Sequence, residues 1–472
     1  MCSKKIIVVD LDGTLTHTDT LHESILMLLR NKPLLLFILP FWLISGRAKF
    51  KANVASNIKL DPTTLPYNQK LIRWLKKERA LEKKIILCSA ANQNVAQAIA
   101  DHLQLFDEVI ASDAITNLKS NNKRKVLDEK FGEKNYDYAG NSSSDIKVWA
   151  GARYAILVNA SHSVSKKAKQ VATVSKTFPS QTVTLSDWFR AFRVHHWVKN
   201  VLLFIPLFTA NQTTNIQSLS ILTLAFISFS LCSSAVYIIN DLLDLENDRR
   251  HPKKWNRPFA TAKLSIKTGI VLIPVLIIVS LVLAWKVSLL FFVLLILYII
   301  LTSIYSLVIK KIILLDCLTL AILFTLRIFA GAAAVSIVVS LWLLVFSIFI
   351  FLSMAFVKRY AEIYIQTQHG NIHIHGRGYL TKDISLIKIL GVISGCLAIV
   401  VFAFYLRSEK VLTLYSEPDL LMYVLPLLIF WISWVWIKAH RGKVNGDPIM
   451  FAIKDKTSLL VAGLIVTLFL LA

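Results

Sequence analysis

The sequence predicts a soluble α/β domain built on a doubly wound parallel sheet, followed by an all-α membrane domain of nine transmembrane helices. The chain of 472 residues is 55% hydrophobic, which is more apolar than a soluble globular protein of this length. Residues 1–187 contain only short apolar runs, whereas residues 188–472 form a nearly continuous hydrophobic background. We therefore predict a soluble domain over residues 1–185 and an integral membrane domain over residues 186–472.

The soluble domain alternates short β-branched runs with helical stretches. The runs lie at residues 6–9, 85–87, 109–110, 136–139 and 155–158. This alternation is typical of a parallel sheet with helices on both faces, and ligands of such sheets bind at the carboxyl ends of the strands. Residues 161–186 are rich in Ser, Thr and Lys, and we predict that a flexible linker begins near residue 161.

Residues 33–44, PLLLFILPFWLI, form an apolar run inside the soluble domain. Twelve residues at about 1.5 Å each reach about 18 Å, whereas the hydrocarbon core of a bilayer is about 30 Å thick. We therefore expect a helix that is either buried or resting on a membrane, within an insertion of the soluble domain, and not a transmembrane span.

The membrane domain contains nine hydrophobic segments, of which the first and the last are short for a span. They lie at residues 197–210, 218–243, 265–285, 289–309, 312–334, 341–359, 384–406, 418–438 and 458–472. The loops that follow even-numbered segments contain nineteen Lys and Arg, and those that follow odd-numbered segments contain three. Positive residues accumulate on the cytoplasmic side of a membrane, so the amino terminus and the even-numbered loops are predicted to lie in the cytoplasm.

Targeting, charge and cysteine content narrow the protein class. Asp10 ends the first apolar stretch after four residues, so no signal peptide is expected before the soluble domain. We expect an integral protein of a bacterial inner membrane with a cytoplasmic soluble domain. Residues 1–187 hold 27 basic and 17 acidic residues, which favours an anionic membrane surface or phosphorylated substrates. No nucleic-acid motif is present. The five scattered cysteines form no CxxC pair, which indicates neither a disulfide framework nor a zinc site.

Two carboxylates stand where the first predicted strand ends. In Asp10-Leu11-Asp12-Gly13-Thr14, one carboxylate can attack phosphorus while the other protonates the leaving oxygen. An acidic turn at a strand end is the alternative. Three further polar residues follow later strands in order, and they are Ser89, Lys123 and Asp145.

In this order of motifs, residues 4–160 resemble the haloacid-dehalogenase-type (HAD) phosphatases. The resemblance implies that Asp10 is the nucleophile and Asp12 the general acid/base, and that Ser89 and Lys123 bind the phosphoryl group. It also implies Mg²⁺ on Asp10, Asp145 and the main-chain carbonyl of Asp12, with residues 19–66 as the insertion that caps the site. The lysine assignment stays open, because other basic residues lie close by at Lys119, Arg124 and Lys125.

A second acidic cluster lies at the cytoplasmic end of the second span. The run NDLLDLEND at residues 240–248 places Asp241, Asp244 and Asp248 at i, i+3 and i+7, which predicts three carboxylates on one helical face. A divalent cation would neutralise their repulsion, and a solvated helix end is the alternative. A basic run follows at residues 249–258, and metal with basic groups is what a diphosphate requires.

This NDxxDxxxD run resembles the UbiA superfamily of intramembrane prenyltransferases over residues 190–472, and most closely its decaprenyl-phosphate phosphoribosyltransferase branch. The likeness to that branch rests on HPKKWNRP at residues 251–258, RVHHWVKN at 193–200, and Tyr305, Lys310 and Asp316. Leu320 stands where a second DxxxD motif would end, which disfavours ordinary prenyl-diphosphate users. The implied substrate-binding residues are Lys199, Asn200, Asn240, Lys253, Lys254, Arg257, Tyr305, Lys310, Asp316 and Arg327.

Arg327 lies eleven residues beyond Asp316, which places it about 16 Å into the membrane at 1.5 Å per residue. An unpaired guanidinium at that depth is costly. Its partner is predicted to be a helix-end carbonyl, a carboxylate that bends in, or a lipid phosphate, and the first two would make it a structural residue.

The two resemblances together predict a bifunctional, Mg²⁺-dependent enzyme of polyprenyl-linked pentose synthesis. The membrane domain would transfer 5-phosphoribosyl from phosphoribosyl pyrophosphate to a polyprenyl phosphate, and the soluble domain would remove the 5-phosphate. One alternative is an aromatic prenyltransferase fused to an unrelated phosphatase. Another is a lipid carrier or transporter with a regulatory phosphatase-like domain, although transporters place coupling charges near the bilayer midplane.

Overall fold

The computed structural model describes residues 5–113, 116–212, 214–368, 370, 372, 377–444 and 446–472. The chain divides into two compact units. Unit 1 contains Met1–Ala191 and Tyr237–Ile273, and unit 2 contains Phe192–Val236 and Pro274–Ala472.

Unit 1 contains a six-stranded parallel sheet in the order β3-β2-β1-β4-β5-β6, which confirms the predicted parallel α/β fold. The strands are β1 (Ile6–Val9), β2 (Lys84–Asn92), β3 (Glu108–Ser112), β4 (Tyr136–Gly140), β5 (Tyr154–Val158) and β6 (Val174–Phe178). Val9 pairs with Leu87 on one side and with Ala139 on the other, so the carboxyl end of β1 lies between those of β2 and β4.

Both faces of the sheet are buried, because successive residues of a strand point to opposite sides. Ile7 and Val9 belong to one hydrophobic core, and Val8 belongs to the other. The helices of the unit before the membrane segments are α1 (Thr20–Asn31), α2 (Leu39–Ile44), α3 (Arg47–Asn57), α4 (Gln69–Ala80), α5 (Gln93–Leu103), α6 (Asn121–Phe131), α7 (Ile146–Gly151), α8 (His162–Val171) and α9 (Leu185–Ala191).

The predicted linker over residues 161–186 is wrong in its first part. Residues 162–171 form α8 and residues 174–178 form β6, which pairs with β5 at the edge of the sheet. The sequence of β6 is polar because it is an edge strand, in which three of the five residues are exposed. It is held by few apolar contacts, among them Phe178 against Trp74 and the buried Ala168.

The apolar run at residues 33–44 folds as a 3₁₀ helix, Pro33–Phe37, followed by α2. None of the residues of α2 is buried, and Leu34 and Ile44 are 78% and 84% exposed. The expectation of a buried helix is therefore wrong for this segment, and its apolar side chains face outward from unit 1.

Seven helices are long and apolar enough to cross a membrane among the residues that the structure describes. They are Ile216–Leu243, Ile266–Val287, Leu289–Leu307, Leu315–Ala334, Leu341–Gln368, Thr381–Leu406 and Pro418–His440. The count of nine is not confirmed. Residues 194–204 form a 3₁₀ helix that is followed by a five-residue helix, and the last apolar helix, Lys456–Leu471, has 16 residues.

The helices from residue 205 onward are numbered in chain order. They are α10 (Ile205–Thr209), α11 (Ile216–Leu243), α12 (Leu245–Arg250), α13 (Ile266–Val287), α14 (Leu289–Leu307), α15 (Leu315–Ala334), α16 (Leu341–Gln368), α17 (Ile384–Leu406), α18 (Glu409–Leu414), α19 (Val424–His440), α20 (Pro448–Lys454) and α21 (Lys456–Leu471).

Candidate active sites

The first candidate site lies at the carboxyl end of β1, where the chain turns sharply after Asp10. Gly13 has φ = +74°, and a Cβ there would come within 2.1 Å of Nδ2, the side-chain nitrogen of Asn141. Any other residue would therefore be strained and would displace Asn141. This tight turn keeps Asp10 buried beside the sheet while Asp12 reaches the adjoining cavity.

A buried network joins Asp10 to Asp145 through a lysine and a tyrosine. Lys123 Nζ donates to Asp10 Oδ1 at 2.6 Å and to Tyr138 Oη at 2.9 Å, and the Tyr138 hydroxyl donates to Asp145 Oδ1 at 2.9 Å. Lys123 is 3% exposed, whereas Lys119 and Lys125 are exposed. Of the three lysines considered, Lys123 is the one that the structure places against Asp10.

Burial perturbs the carboxyl groups of both Asp10 and Asp12. It raises the pKa of Asp10 to about 6, against the opposing effect of Lys123. Burial also raises the pKa of Asp12 to about 7, assisted by Asp19 and opposed by two hydrogen bonds from Thr20. Near neutral pH, Asp10 is therefore mostly ionised beside its lysine, while a substantial fraction of Asp12 holds the proton that a general acid needs.

Asp145 and Ser89 occupy different positions relative to the cavity. Asp145 lines it, and its Oδ2 accepts hydrogen bonds from the Asn141 and Ser142 amides and from the Ser142 hydroxyl at 2.9–3.1 Å. The Ser89 hydroxyl accepts from the Ala91 amide at 3.0 Å and is buried. Ala90 and Ala91, the residues after Ser89, line the cavity in its place.

The carboxylates of this site fit a hard divalent ion. Asp10 and Asp145 line the same cavity and are linked through Lys123 and Tyr138, and the negative charge of Asp145 adds to the rise in the pKa of Asp10. A cation between them would relieve the repulsion of the two charges, and carboxylate and carbonyl oxygens are the ligands that Mg²⁺ prefers.

A cavity of about 560 Å³ opens over these residues. Its walls include Phe50, Lys51 and Val54 of α3 and also Ser265 and Lys267, which follow the acidic run in the sequence. Lys51 Nζ donates to the Ala90 carbonyl oxygen and, at 3.2 Å, to Asn117 Oδ1. The sequence analysis missed Lys51, because no motif distinguishes it from the other basic residues of the insertion.

The second acidic cluster is centred on an arginine. Arg257 Nη1 lies 3.0 Å from Asp241 Oδ1 and 2.5 Å from Asp248 Oδ2, and both carboxylates are buried. The three carboxylates do not lie on one continuous helix, since α11 ends at Leu243 and α12 begins at Leu245. Asp241 and Asp248 nevertheless meet at the same guanidinium nitrogen. Burial raises the pKa of Asp248, and Arg257 opposes that effect.

The guanidinium of Arg257 stands where a cation would bridge Asp241 and Asp248, so this pair also fits a divalent ion. Within the described ranges, no three His, Cys, Asp or Glu side chains are positioned to hold a metal. Lys253 and Lys254 are exposed and Asn240 is half-buried.

Two arginines after this acidic run contact the insertion that was predicted to cap the phosphatase site. Arg249 forms a bidentate ion pair with Glu23, at 2.6 and 3.1 Å, and Arg250 pairs with Asp61. Arg249 and Glu23 are both largely buried in this pair. Their place in the basic run at residues 249–258 predicts phosphate-binding charges, and no local signal links them to residues some 200 positions earlier.

In unit 2, a buried polar network surrounds Arg327. Its Nε donates to Asn200 Oδ1 at 3.1 Å, its Nη2 to Tyr298 Oη at 3.0 Å, and its Nη1 to the Leu323 carbonyl. The guanidinium also lies over the rings of Phe229, Tyr298 and Phe324. The carbonyl partner is not the predicted helix-end carbonyl, because Leu323 lies four residues earlier within the same helix, α15. The other two partners, Asn200 and Tyr298, are neutral side chains that were not among the predicted alternatives.

Lys199 and Asp316 are both paired with opposite charges. Lys199 pairs with Asp447, and burial lowers the Lys199 pKa while Asp447 opposes that effect. Asp316 is fully buried, with Arg359 Nη2 at 2.7 Å and a hydrogen bond from the Tyr379 hydroxyl at 2.6 Å.

Tyr305 and Lys310 lie next to a further arginine. Arg377 donates to Tyr305 Oη at 3.1 Å and to the Lys310 carbonyl at 3.4 Å, and it is 3.7 Å from Asp316. Arg359, Arg377 and Asp447 were missed by the sequence analysis, because each is defined by a contact between distant segments.

Residues 201–453 match the family described as the UbiA prenyltransferase family. This is more than half of the chain. The chain belongs to that family. Membership of the UbiA family and the seven apolar helices together make this chain an integral membrane protein. The resemblance predicted for residues 190–472 is confirmed at the level of the family. Lys199 and Asn200 lie just before the matched UbiA segment, and the phosphatase-like residues lie far outside it.

Two relatives of this UbiA chain extend the comparison. An uncharacterized protein, y4nM, of Sinorhizobium fredii is 35% identical over 99% of this chain and 90% of its own length. A decaprenyl-phosphate phosphoribosyltransferase of Mycolicibacterium smegmatis is 28% identical over 58% of this chain and 87% of its own length.

Two solved structures also align with the UbiA chain, one with each part. A UbiA homologue from Archaeoglobus fulgidus bound to DMAPP and Mg²⁺ is 17% identical, with a TM-score of 0.47 over 60% of this chain and 98% of that one. A substrate-bound phosphoserine phosphatase is 15% identical, with a TM-score of 0.28 over 38% of this chain and 94% of that one.

Proposed function

We propose that the protein is a bifunctional enzyme that makes a polyprenyl-phosphoryl pentose in two steps. The transferase half is supported by the mycobacterial relative named decaprenyl-phosphate phosphoribosyltransferase, which matches 58% of the chain. The phosphatase half rests on one observation, the buried contact between Lys123 and Asp10 at the edge of a cavity that also holds Asp12 and Asp145.

In the first step, an oxygen of the polyprenyl phosphate attacks C1 of phosphoribosyl pyrophosphate, and the bond from C1 to the pyrophosphate oxygen breaks. The lipid phosphate is already ionised, so no strong protein base is needed. Mg²⁺ held by Asp241 and Asp248, the two carboxylates that converge on Arg257, would supply charge neutralisation for the leaving group. Asp244 is proposed as a third ligand, which would require its carboxylate to move toward this pair. Lys253, Lys254 and Arg257 are the proposed phosphate-binding cations.

Further residues are proposed to bind the two substrates of the transferase. They are Lys199, Asn200, Asn240, Tyr305 and Lys310. Arg327, whose guanidinium donates to three neutral groups, is proposed to hold Asn200 and Tyr298 in place. For Asp316, full burial beside Arg359 favours a positioning role over direct contact with a substrate.

In the second step, Asp10 attacks the phosphorus of the 5-phosphate and Asp12 protonates the departing ribose oxygen. Lys123 then balances the charge of the aspartyl-phosphate, and Asp12, now deprotonated, accepts a proton from the water that hydrolyses it. Mg²⁺ on Asp10, Asp145 and the Asp12 carbonyl would polarise the phosphoryl oxygens. Removing the 5-phosphate deletes about two negative charges from the lipid product.

The proposal is tested by incubating membranes that contain the protein with radiolabelled phosphoribosyl pyrophosphate, polyprenyl phosphate and Mg²⁺. Thin-layer chromatography should show a labelled phosphorylated lipid that converts to a less polar one. Labelled lipid formed only from a prenyl diphosphate and an aromatic acceptor would instead establish the prenyltransferase alternative. No labelled lipid with either donor would contradict both enzymatic accounts.

A further inference from the structure

We propose that the apolar segment of unit 1 (residues 33–44) inserts into the surface of an anionic bilayer. Its exposed large apolar side chains all lie within the eleven residues from Leu34 to Ile44. Among them, Phe37, Phe41 and Leu43 are more than half exposed, as are Leu34 and Ile44. Contiguous apolar surface of this kind on a water-facing domain marks a binding surface.

The charges around the apolar segment favour lipid as its occupant. Residues 24–60 contain six Lys and Arg and no Asp or Glu, although the chain as a whole has 29 acidic residues. An apolar helix flanked by basic residues is the pattern of an interfacial membrane anchor, since anionic headgroups attract the charges while the apolar face enters the acyl boundary.

A bilayer is within reach of unit 1. The unit contains residues 237–273, which include the last turns of α11 and the first turns of α13, and both helices are candidate membrane spans. The apolar segment itself consists of two short helices, the 3₁₀ helix Pro33–Phe37 and α2. Helices satisfy most of their own backbone hydrogen bonds, as an element that enters lipid must do. Phe37, Phe41 and Trp42 are aromatic, and Trp and Phe are typical of the apolar face of a helix that lies in a membrane interface.

The apolar segment is continuous with the phosphatase cavity. Leu43 lines that cavity with Phe50 and Val54 of α3, and the same lining includes Asp10 and Asp12. A phosphomonoester anchored in the bilayer would therefore reach the carboxylates along an apolar wall that begins in the lipid. This assignment of substrate class rests on the proposed function, whereas the insertion of the segment does not.

Insertion is tested with nitroxide labels on the full-length protein in nanodiscs of phosphatidylcholine and phosphatidylglycerol. One label is placed at Phe41→Cys, and a matched control at Leu81→Cys, since Leu81 is an isolated apolar residue of unit 1 with the same exposure. Cys2 and Cys396 are replaced by serine, because the other three thiols are buried.

A label at position 41 should be several-fold less accessible to a water-soluble nickel chelate than the label at position 81, and more accessible to oxygen. Protection from both reagents would mean that protein, such as a second copy of the chain, covers the segment, and would overturn the proposal. Equal accessibility at the two positions would overturn it as well.

The link to the cavity is tested by replacing Phe37, Phe41 and Ile44 together with serine, since none of them lines the cavity. Hydrolysis of the labelled phosphorylated lipid should fall several-fold more than hydrolysis of p-nitrophenyl phosphate. Equal loss on both substrates would overturn the substrate assignment. If the unaltered protein hydrolyses neither, the proposed phosphatase function fails, while the label measurement still decides whether the segment inserts.

Discussion

At the scale of single residues, Asp10 is the proposed nucleophile of the phosphatase site. Asp10→Asn should reduce phosphate release by at least about 10⁴-fold, because the amide cannot form the aspartyl-phosphate. Lipid coupling should continue, so membranes should accumulate the phosphorylated lipid-linked pentose, measured by thin-layer chromatography. Disappearance of that lipid at the normal rate would disprove the assignment of the nucleophile.

Lys123 and Lys125 form a natural comparison, since they are two residues apart on α6 but only Lys123 is buried against Asp10. Lys123→Met should lower phosphatase kcat by about 10²–10³-fold, the usual effect of losing one group that stabilises developing charge. Lys125→Met should leave kcat unchanged in the same p-nitrophenyl phosphate assay. Similar losses in both variants would point to a general effect of surface charge.

Arg327 donates to three neutral groups, which favours a structural role. Arg327→Leu should therefore lower the thermal midpoint of the protein, because Asn200 and Tyr298 each lose a buried hydrogen bond and such losses cost about 1–3 kcal/mol. A normal midpoint combined with a raised KM for polyprenyl phosphate would instead identify the guanidinium as the site of the lipid phosphate.

At the scale of elements, the junction of α11 and α12 brings Asp241 and Asp248 to the same guanidinium nitrogen. Asp241→Ala should stop pyrophosphate release even at saturating Mg²⁺, because a ligand has been removed. Glu246 belongs to the same acidic run but pairs with Arg250, so Glu246→Ala should retain the activity. Full transferase activity in Asp241→Ala would reject the metal site, and p-nitrophenyl phosphate hydrolysis provides the folding control.

The elements that were predicted correctly are those that local sequence determines. Asp10 and Asp12 were found because they follow a buried strand directly, and seven of the nine apolar segments are long helices. The strand β6 was missed because an exposed edge strand needs few apolar residues. Lys51, Arg249 and Arg359 were missed because their roles depend on partners brought together by the fold, which spacing along the chain does not encode.

At the scale of the whole molecule, the ion pair between Arg249 and Glu23 ties the cap of the phosphatase-like site to the loop that follows the acidic run. Arg249→Ala should destabilise the cap by about 3–5 kcal/mol, because it leaves a buried carboxylate without its partner. Arg250→Ala is the matched control, since its pair with Asp61 is much more exposed and such pairs contribute about 0–1 kcal/mol.

Limited proteolysis of the full-length protein compares the stability of the cap in the two variants, with the rate of cleavage between residues 19 and 66 as the readout. Cleavage should accelerate in Arg249→Ala and stay near the normal rate in Arg250→Ala. Glu23→Gln combined with Arg249→Ala should recover part of the loss, because the uncompensated charge is gone. Equal protection in all three variants would show that the cap holds its position without this pair.

The same ion pair also sets an order of events while the protein is being made. Glu23 and Arg249 are separated by 226 residues, and a ribosome that adds about 5–20 residues per second needs about 11–45 s to travel that distance. Until then, the Glu23 carboxylate lacks the partner that it has in the finished protein, where Glu23 is 6% exposed. The proposed cap therefore gains this ion pair only after α11, the first of the seven candidate spans, has been synthesised.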